Sequence, residues 1–309
     1  MSLEVSSFYK YVRIENPAVL QSRLWKLCKS LELRGRILLG KEGINGSVCG
    51  KKERIQEFKE KLTKNQIFSG IDFKEQSSEK QAFSRLYIAI KKEIVNFGLK
   101  VDLSKTAPFV TPKELKSMLD KKEDIVLLDV RNDYETKIGK FRDSRVLNIG
   151  NFRDLPKAIS GINELKSKKI VTYCTGGIRC EKASVFLREQ GFEDIHQLKG
   201  GILKFGEAFP DTYWQGKCFV FDNRISIEIN KKANDFFDCD LCSKMANDYL
   251  NCHNLDCDKL FSCCDGCKIE FNASCSLECS KAPNRRKKDV ADLSNAIPHR
   301  NNFLSLVKT

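Results

Sequence analysis

Val171-Thr-Tyr-Cys174-Thr-Gly-Gly-Ile-Arg179-Cys180 is the stretch on which the reading of this chain turns. A short apolar run ends in a cysteine, two glycines follow, and then an arginine opens a helical pattern. A strand-to-helix turn of this composition points several backbone N–H groups at one atom and so builds an anion cradle from main chain. The atom at its centre is the sulfur of Cys174. A thiol that faces such a cradle, a helix N-terminus and Arg179 loses its proton easily.

Outward from this turn, strands and helices alternate. Thr111-Pro112 opens a helix, residues 125–130 and 170–173 read as buried strands, residues 181–190 as a helix stopped by Gly191, and residues 194–198 as a further strand. That order implies an α/β domain with a mostly parallel sheet, in which ligands sit at the carboxyl ends of strands, where Cys174 falls. Residues 108–112 read as a linker. Ahead of them, residues 8–14 read as a strand, and Asn16-Pro17 starts a helix with Leu20, Leu24, Leu27 and Leu31 on one face. Further strands are expected at 36–39, 47–49, 71–73 and 85–90, with a basic helix over 51–64. The order β-α-β-β-α-β is the ferredoxin-like pattern.

The chain has 309 residues, enough for two or three domains, with 41% hydrophobic and 31% charged residues. No apolar run approaches the ~20 residues that cross a bilayer, so no membrane association is expected. The first residues lack a basic segment followed by an apolar one, which makes the cytoplasm the expected compartment. Net charge is +13. The excess thickens at Lys51-Lys52, Lys91-Lys92, Lys168-Lys169 and Arg285-Arg-Lys-Lys288, which suits a polyanionic partner, nucleic acid first.

Fourteen cysteines in such a chain argue against a disulfide framework. Cys28, Cys49 and Cys218 fall in patterned elements and are expected in cores. Nine others crowd between Cys239 and Cys279 as Cys239-x2-Cys242, Cys252-x4-Cys257, Cys263-Cys264-x2-Cys267 and Cys275-x3-Cys279. Cys-x2-Cys turns present two thiolates to one tetrahedral metal, and a segment this poor in large apolar residues needs such a staple. Two structural zinc sites are expected, an iron–sulfur cluster being the alternative. The sequential partition puts Cys239, Cys242, Cys252 and Cys257 on one ion and Cys264, Cys267, Cys275 and Cys279 on the other. Spacing allows an interleaved partition equally, and His253 or Cys263 can replace a neighbour. Residues 286–309 form a basic tail low in pattern.

The Cys-x4-Arg loop is one residue shorter than the Cys-x5-Arg loop with which protein tyrosine phosphatases surround a phosphate. The smaller volume suits a thiolate or a persulfide. Thr175, Gly176, Gly177 and Ile178 form the loop, with Cys174 and Arg179 as its reactive and charged members. Cys180 is either a second redox-active thiol or a residue facing the sheet. Leu128-Asp129-Val130-Arg131-Asn-Asp-Tyr-Glu135, the Cys174 loop and Leu198-Lys-Gly-Gly-Ile202 together resemble a rhodanese domain, in which Asp129 and Arg131 pair within the fold. The chain departs from the common pattern at Lys140-Phe-Arg-Asp143-Ser144, where altered loop packing is expected.

The resemblance extends further. Cys174-Thr-Gly-Gly-Ile-Arg-Cys-Glu-Lys-Ala-Ser184, Glu42-Gly-Ile-Asn-Gly46, Phe152-Arg-Asp-Leu-Pro156 and Cys218-Phe-Val-Phe-Asp-Asn-Arg224 resemble the rhodanese-containing tRNA uridine hydroxylases. That resemblance implies a ferredoxin-like (acylphosphatase-like) domain over 1–105, a rhodanese domain over 106–215 and a cysteine-rich zinc module over 216–285. It also implies a tRNA substrate gripped by the ferredoxin-like domain, by 51–64 and by 285–288, molecular oxygen as co-substrate, 5-hydroxyuridine as product, and no obligate protein partner. Cys174, Arg179 and Cys180 become its catalytic residues. The loop by itself suits a sulfurtransferase carrying sulfur as a Cys174 persulfide equally well. An RNA-binding adaptor with a vestigial loop is disfavoured by the intact Cys174 and Arg179.

Overall fold

Asn16 accepts a hydrogen bond from the N–H of Val19 and Pro17 occupies the first helical position, so the first helix begins where its sequence demands. In the computed structural model, which describes residues 3–229, 237–246 and 248–286, that helix is the second element of the chain. The order is β1 (Leu3–Tyr11), α1 (Pro17–Ser30), β2 (Arg34–Gly40), β3 (Gly43–Lys51), α2 (Lys52–Thr63), β4 (Asp72–Ser78) and β5 (Leu86–Ile90). The strands form one sheet in the order β4-β1-β3-β2-β5, with only the β2–β5 pair parallel. Phe8, Leu24, Cys28, Ile37, Val48, Ile55 and Phe58 pack together in one core. Phe8 sits with its ring 5.6 Å from that of Phe58 and 5.5 Å from that of Phe73. Side chains alternate across a strand, so Tyr9 and Tyr11 occupy the opposite face. The first strand starts at Leu3 and ends at Tyr11, earlier than the expected residues 8–14, because it is a central strand paired with both β3 and β4.

The next elements are β6 (Phe109–Val110), α3 (Pro112–Asp120), β7 (Ile125–Asp129), α4 (Asp133–Ile138), β8 (Gly139–Phe141), β9 (Arg145–Val146), α5 (Leu155–Ala158), β10 (Lys169–Tyr173), α6 (Ile178–Glu189), β11 (Asp194–Leu198) and α7 (Gly201–Ala208). A parallel sheet runs in the order β6-β11-β10-β7-β9. Residues 108–112, expected as a linker, include the edge strand β6, which pairs with Gln197 and Leu198. Thr111 and Glu114 close a reciprocal capping box at the start of α3. Beneath the sheet's carboxyl end, Asp129 and Arg131 form the expected pair. Arg131 donates from Nε and a terminal nitrogen at 3.0 and 2.7 Å, and both side chains are fully buried.

By packing, the chain divides into two units: residues 1–131 with 143–209, and residues 132–142 with 210–309. In the second unit β8 pairs antiparallel with β12 (Trp214–Phe219), which pairs with β13 (Ser226–Glu228). Phe141 packs edge-on against Trp214, with ring centres 5.3 Å apart. Cys218, like Cys28 and Cys49, is fully buried, as expected. Short hairpins follow, β14 (Phe237–Asp238) with β15 (Met245–Ala246) and β16 (Asp248–Asn251) with β17 (Leu260–Cys263). The helices α8 (Asp265–Glu270) and α9 (Leu277–Ser280) come last. Lys287, Lys288 and the rest of the basic tail lie outside the described residues. Among the described residues no helix is long and apolar enough to cross a membrane.

Removing one member of a buried ion pair strands the other charge. Arg131→Met is expected to destabilise the chain by about 3–5 kcal/mol, read as a lower midpoint in urea unfolding followed by circular dichroism.

Candidate active site

The turn after β10 is shaped by its glycines. Gly177 adopts φ +99° as the residue before α6, and Gly201, at φ +64°, lies so close to the turn that a Cβ there would stand 2.4 Å from the carbonyl oxygen of Cys174. That carbonyl accepts from the N–H of Ile202 at 3.0 Å, and the carbonyl of Thr175 accepts from Leu203 at 3.1 Å. The first turn of α7 therefore holds the loop in place, which is the physical content of the Lys199-Gly-Gly-Ile202 signature.

Cys174 is fully buried. The N–H of Gly177 donates to its sulfur at 3.1 Å. Burial alone pushes this thiol up. Hydrogen bonding from Cys180, the charge of Arg179 and the N–H groups of Arg179 and Gly177 overcome that and bring it down to about 5. Cys180, also fully buried, moves the opposite way, because burial and the adjacent Cys174 sulfur both oppose its ionisation. The pair thus holds one negative charge, on Cys174. Arg179, nearly buried, reaches the hydroxyl of Thr175 at 3.4 Å. The helix α6 begins at Ile178, earlier than the expected residue 181, so Arg179 and Cys180 lie in its first turn.

The open face of the N-terminal sheet covers this loop. A Cβ on Gly177 would meet the Tyr9 hydroxyl at 3.0 Å, and one on Gly176 would meet Lys74 Cδ at 3.9 Å. Tyr9 and Asp72 are register partners, as are Ser7 and Lys74, which places all four on that face. Tyr9 donates to Glu181 Oε1 at 3.2 Å and Tyr11 to the carbonyl of Ile178 at 3.3 Å. Lys74 is 3% exposed, with Nζ 3.2 Å from Asp72 Oδ2 and 4.8 Å from the centre of the Tyr9 ring. Burial lowers the Lys74 pKa, against the opposing charges of Asp72 and Cys174. Burial likewise raises that of Glu181, whose other oxygen accepts from Thr106 at 3.0 Å. Lys182 reaches back to the N-terminal domain, 3.0 Å from Glu42 and 2.8 Å from Glu93. Ser184 accepts from the N–H of Ala107 at 3.2 Å. The run Glu181-Lys-Ala-Ser184 is therefore a docking strip. Sequence reasoning passed over Tyr9, Tyr11 and Lys74. The available signal was two tyrosines on the strand face opposite the core residue Phe8.

Outside this cover lies a cavity of about 590 Å³, lined among others by Tyr9, Tyr11, Lys74, Phe109, Glu181 and Gly200.

In the second unit the thiols gather in two groups: Cys239, Cys242, Cys264 and Cys267, and Cys252, Cys257, Cys275 and Cys279. This is the interleaved partition and replaces the sequential one. The hairpin of β16 and β17 turns the chain back so that Ser262 exchanges hydrogen bonds with Asp240, carrying the third cysteine pair to the first. Sulfurs stand 3.6 Å apart for Cys242 and Cys264, 3.6 Å for Cys257 and Cys275, and 3.9 Å for Cys275 and Cys279. A tetrahedral ion with bonds of about 2.3 Å to sulfur sets edges of roughly 3.8 Å, so both groups fit a four-thiolate metal ion. His253 and Cys263 belong to neither group. Arg285 and Arg286, expected to face phosphate, are engaged within the fold. Arg285 donates to the carbonyls of Ser280 and Asn272, each at 2.7 Å, and Arg286 pairs with Asp258. On the basic helix α2, Lys59 pairs with Glu75 and Lys61 with Glu57.

Comparison with known proteins gives this architecture a class. Residues 3–94 match the UPF0176 acylphosphatase like domain, 111–208 the rhodanese-like domain and 215–280 the rhodanase C-terminal domain. The chain is thus an acylphosphatase-like domain joined to a rhodanese domain and a cysteine-rich segment. Over their full lengths, it is 39% identical to a protein of Staphylococcus saprophyticus named tRNA uridine(34) hydroxylase. Proteins of the same name from Cytophaga hutchinsonii (39% identity, 93% of this chain and 92% of that one) and Aster yellows witches'-broom phytoplasma (41%, 90% and 92%) are similarly close. The chain belongs to the tRNA uridine(34) hydroxylase family.

The pH dependence of Cys174 ionisation follows from its surroundings. The ultraviolet absorbance of the thiolate, taken as the difference between the protein and its Cys174→Ser variant, should rise with pH around a midpoint near 5. Arg179→Gln removes a favourable charge and should raise that midpoint by about 1–3 units.

Proposed function

We propose that this chain hydroxylates uridine at C5 in tRNA, with molecular oxygen as co-substrate and Cys174 as the reactive group. The observation that carries the reading is a fully buried Cys174 sulfur at a strand end, facing the Gly177 N–H and the charge of Arg179, in a chain similar over its full length to proteins named tRNA uridine(34) hydroxylase. Thiolate addition to C6 of the pyrimidine would break the C5–C6 double bond and place its electron pair on C5, the carbon to be oxidised. Loss of the C5 proton afterwards expels the thiolate and restores the double bond, and the second oxygen atom leaves as water with two electrons and two protons from an added reductant. Arg179 keeps Cys174 ionised, and Cys180 is the protonated partner that hydrogen-bonds to it. The division of the chain at about residues 105, 215 and 285 belongs to the same reading. So does a cytoplasmic location, where tRNA is the polyanion matched by a net charge of +13.

The two cysteine groups would each hold structural zinc, which ties the hairpins of a segment with little apolar core of its own. No step of the chemistry needs to pass through them. Sulfur transfer by a Cys174 persulfide is the competing activity, and a thiosulfate–cyanide assay measures it directly.

Nucleoside mass spectrometry of tRNA incubated with the purified protein should show 5-hydroxyuridine in air and none under anaerobic conditions. Cys174→Ser should lower the rate by at least about 100-fold, as loss of a nucleophile does. An undiminished rate in the serine variant would sink the role of Cys174. Metal analysis should find two zinc ions per chain. Cys239→Ser should lower that count towards one and make residues 237–286 more susceptible to limited proteolysis.

A further inference from the structure

The sulfur of Cys174 is sealed from solvent, yet the cavity of about 590 Å³ begins at its seal. Tyr9, Lys74, Glu181 and Gly200 form both the cover of the loop and the inner wall of the cavity. The volume falls within the roughly 300–1,000 Å³ of small-ligand sites. Tyr9 and Tyr11 stand with ring centres 6.1 Å apart, and hydrogen bonds to Glu181 and the Ile178 carbonyl fix both hydroxyls. These rings are held before any ligand arrives. Phe109, on the edge strand β6, adds a third ring and remains 45% exposed. Around them the rim carries Lys41 and Lys199, and also Arg13, which is paired with Glu15 at 2.7 Å. Aromatic faces inside a cationic rim are what unstacked bases of single-stranded RNA bind.

One lining group discriminates among bases. Lys74 is buried, with Nζ 3.2 Å from Asp72 Oδ2 and 3.4 Å from the Asp72 carbonyl, so two of an ammonium's three donors are engaged and one is open to a ligand. Burial works against that charge. An ammonium donates and cannot accept. It therefore favours a carbonyl oxygen on the incoming base and opposes an exocyclic amine.

We infer that this cavity is the receiving site for one unstacked uridine, with its base against Tyr11 and Phe109, its O4 towards Lys74 where cytosine would present an amine, and the flanking phosphates on Lys41 and Lys199. The inference rests on the preceding reading in taking RNA as the substrate. It adds where the base is held and which residue distinguishes uracil from cytosine. The acylphosphatase-like domain thereby supplies the base site for a reaction whose sulfur lies in the rhodanese domain.

The test needs binding alone and so is independent of hydroxylation. Fluorescence anisotropy of the full chain with fluorescein-labelled oligouridylate and oligocytidylate should show about a tenfold preference for the former. Lys74→Met should erase that preference, and Phe109→Ala should weaken both oligonucleotides alike. Trp25→Ala, on the exposed side of α1, should change neither. Should Lys74→Met fail to fold, photocrosslinking of a 4-thiouridine oligonucleotide to the unaltered protein decides. Adducts on Tyr9, Tyr11 or Phe109 support the site, and adducts confined to α2 overturn it. Equal affinity for the two oligonucleotides would also overturn it. Hydroxylation could then fail while the site stands, or succeed while the site falls.

Discussion

A negative charge on a fully buried sulfur is the constraint to which the first unit answers. Taking an ion out of water costs several kcal/mol even after relaxation, so the thiolate persists only where fixed dipoles and charges replace its hydration. Gly177 supplies an N–H, Arg179 a guanidinium and a second N–H, and Cys180 a thiol proton. These groups can converge only because Gly177 takes a positive φ and Gly201 leaves room for the Cys174 carbonyl. A side chain at either glycine would displace the donors from the sulfur or the loop from α7.

A buried anion also needs a cover, and here the N-terminal domain acts. A mostly antiparallel sheet commonly packs its core on one face and leaves the other open. In this chain that face carries Tyr9, Tyr11, Asp72 and Lys74 and closes on the loop. Its attachment is ionic as well as apolar. Lys182 sits between Glu42 and Glu93, while Glu181 ties Tyr9 to Thr106. Residues that identify the family in sequence, Glu42 and the Glu181-Lys-Ala-Ser184 run, thus meet at one interface. Their spacing in the chain records a packing requirement as much as a catalytic one.

The loop was legible in the sequence because its determinants are local. Strand, glycines, arginine and helix start all fall within ten consecutive residues, and the parallel sheet followed from alternation of apolar runs. Tyr9, Tyr11 and Lys74 were not legible as site residues, because nothing within β1 or β4 says what packs on their open face. The thiol partition was undecidable for a related reason. Cys239-x2-Cys242 is equally compatible with either later pair, and the choice is made by the β16–β17 hairpin, whose register is a tertiary fact. The strand β6 was missed because two of the three residues between Pro108 and Pro112 carry no period at all, and only pairing to Gln197 and Leu198 makes them a strand.

Charge gives a similar lesson about where to look for an RNA-binding surface. Clusters of lysine and arginine in sequence pointed to α2 and to residues 285–288. In the fold, Arg285 and Arg286 are occupied by Ser280, Asn272 and Asp258, and Lys59 and Lys61 have carboxylate partners. Such pairing leaves little field for a distant phosphate, since a cation beside a carboxylate acts at range as a dipole. Lys41 and Lys199 are far apart in sequence and form no run, yet they line one cavity with the tyrosines. Convergence in space, rather than density along the chain, is what concentrates positive potential. Here it concentrates at a cavity whose wall, with Tyr9, Lys74 and Glu181, also covers the Cys174 loop.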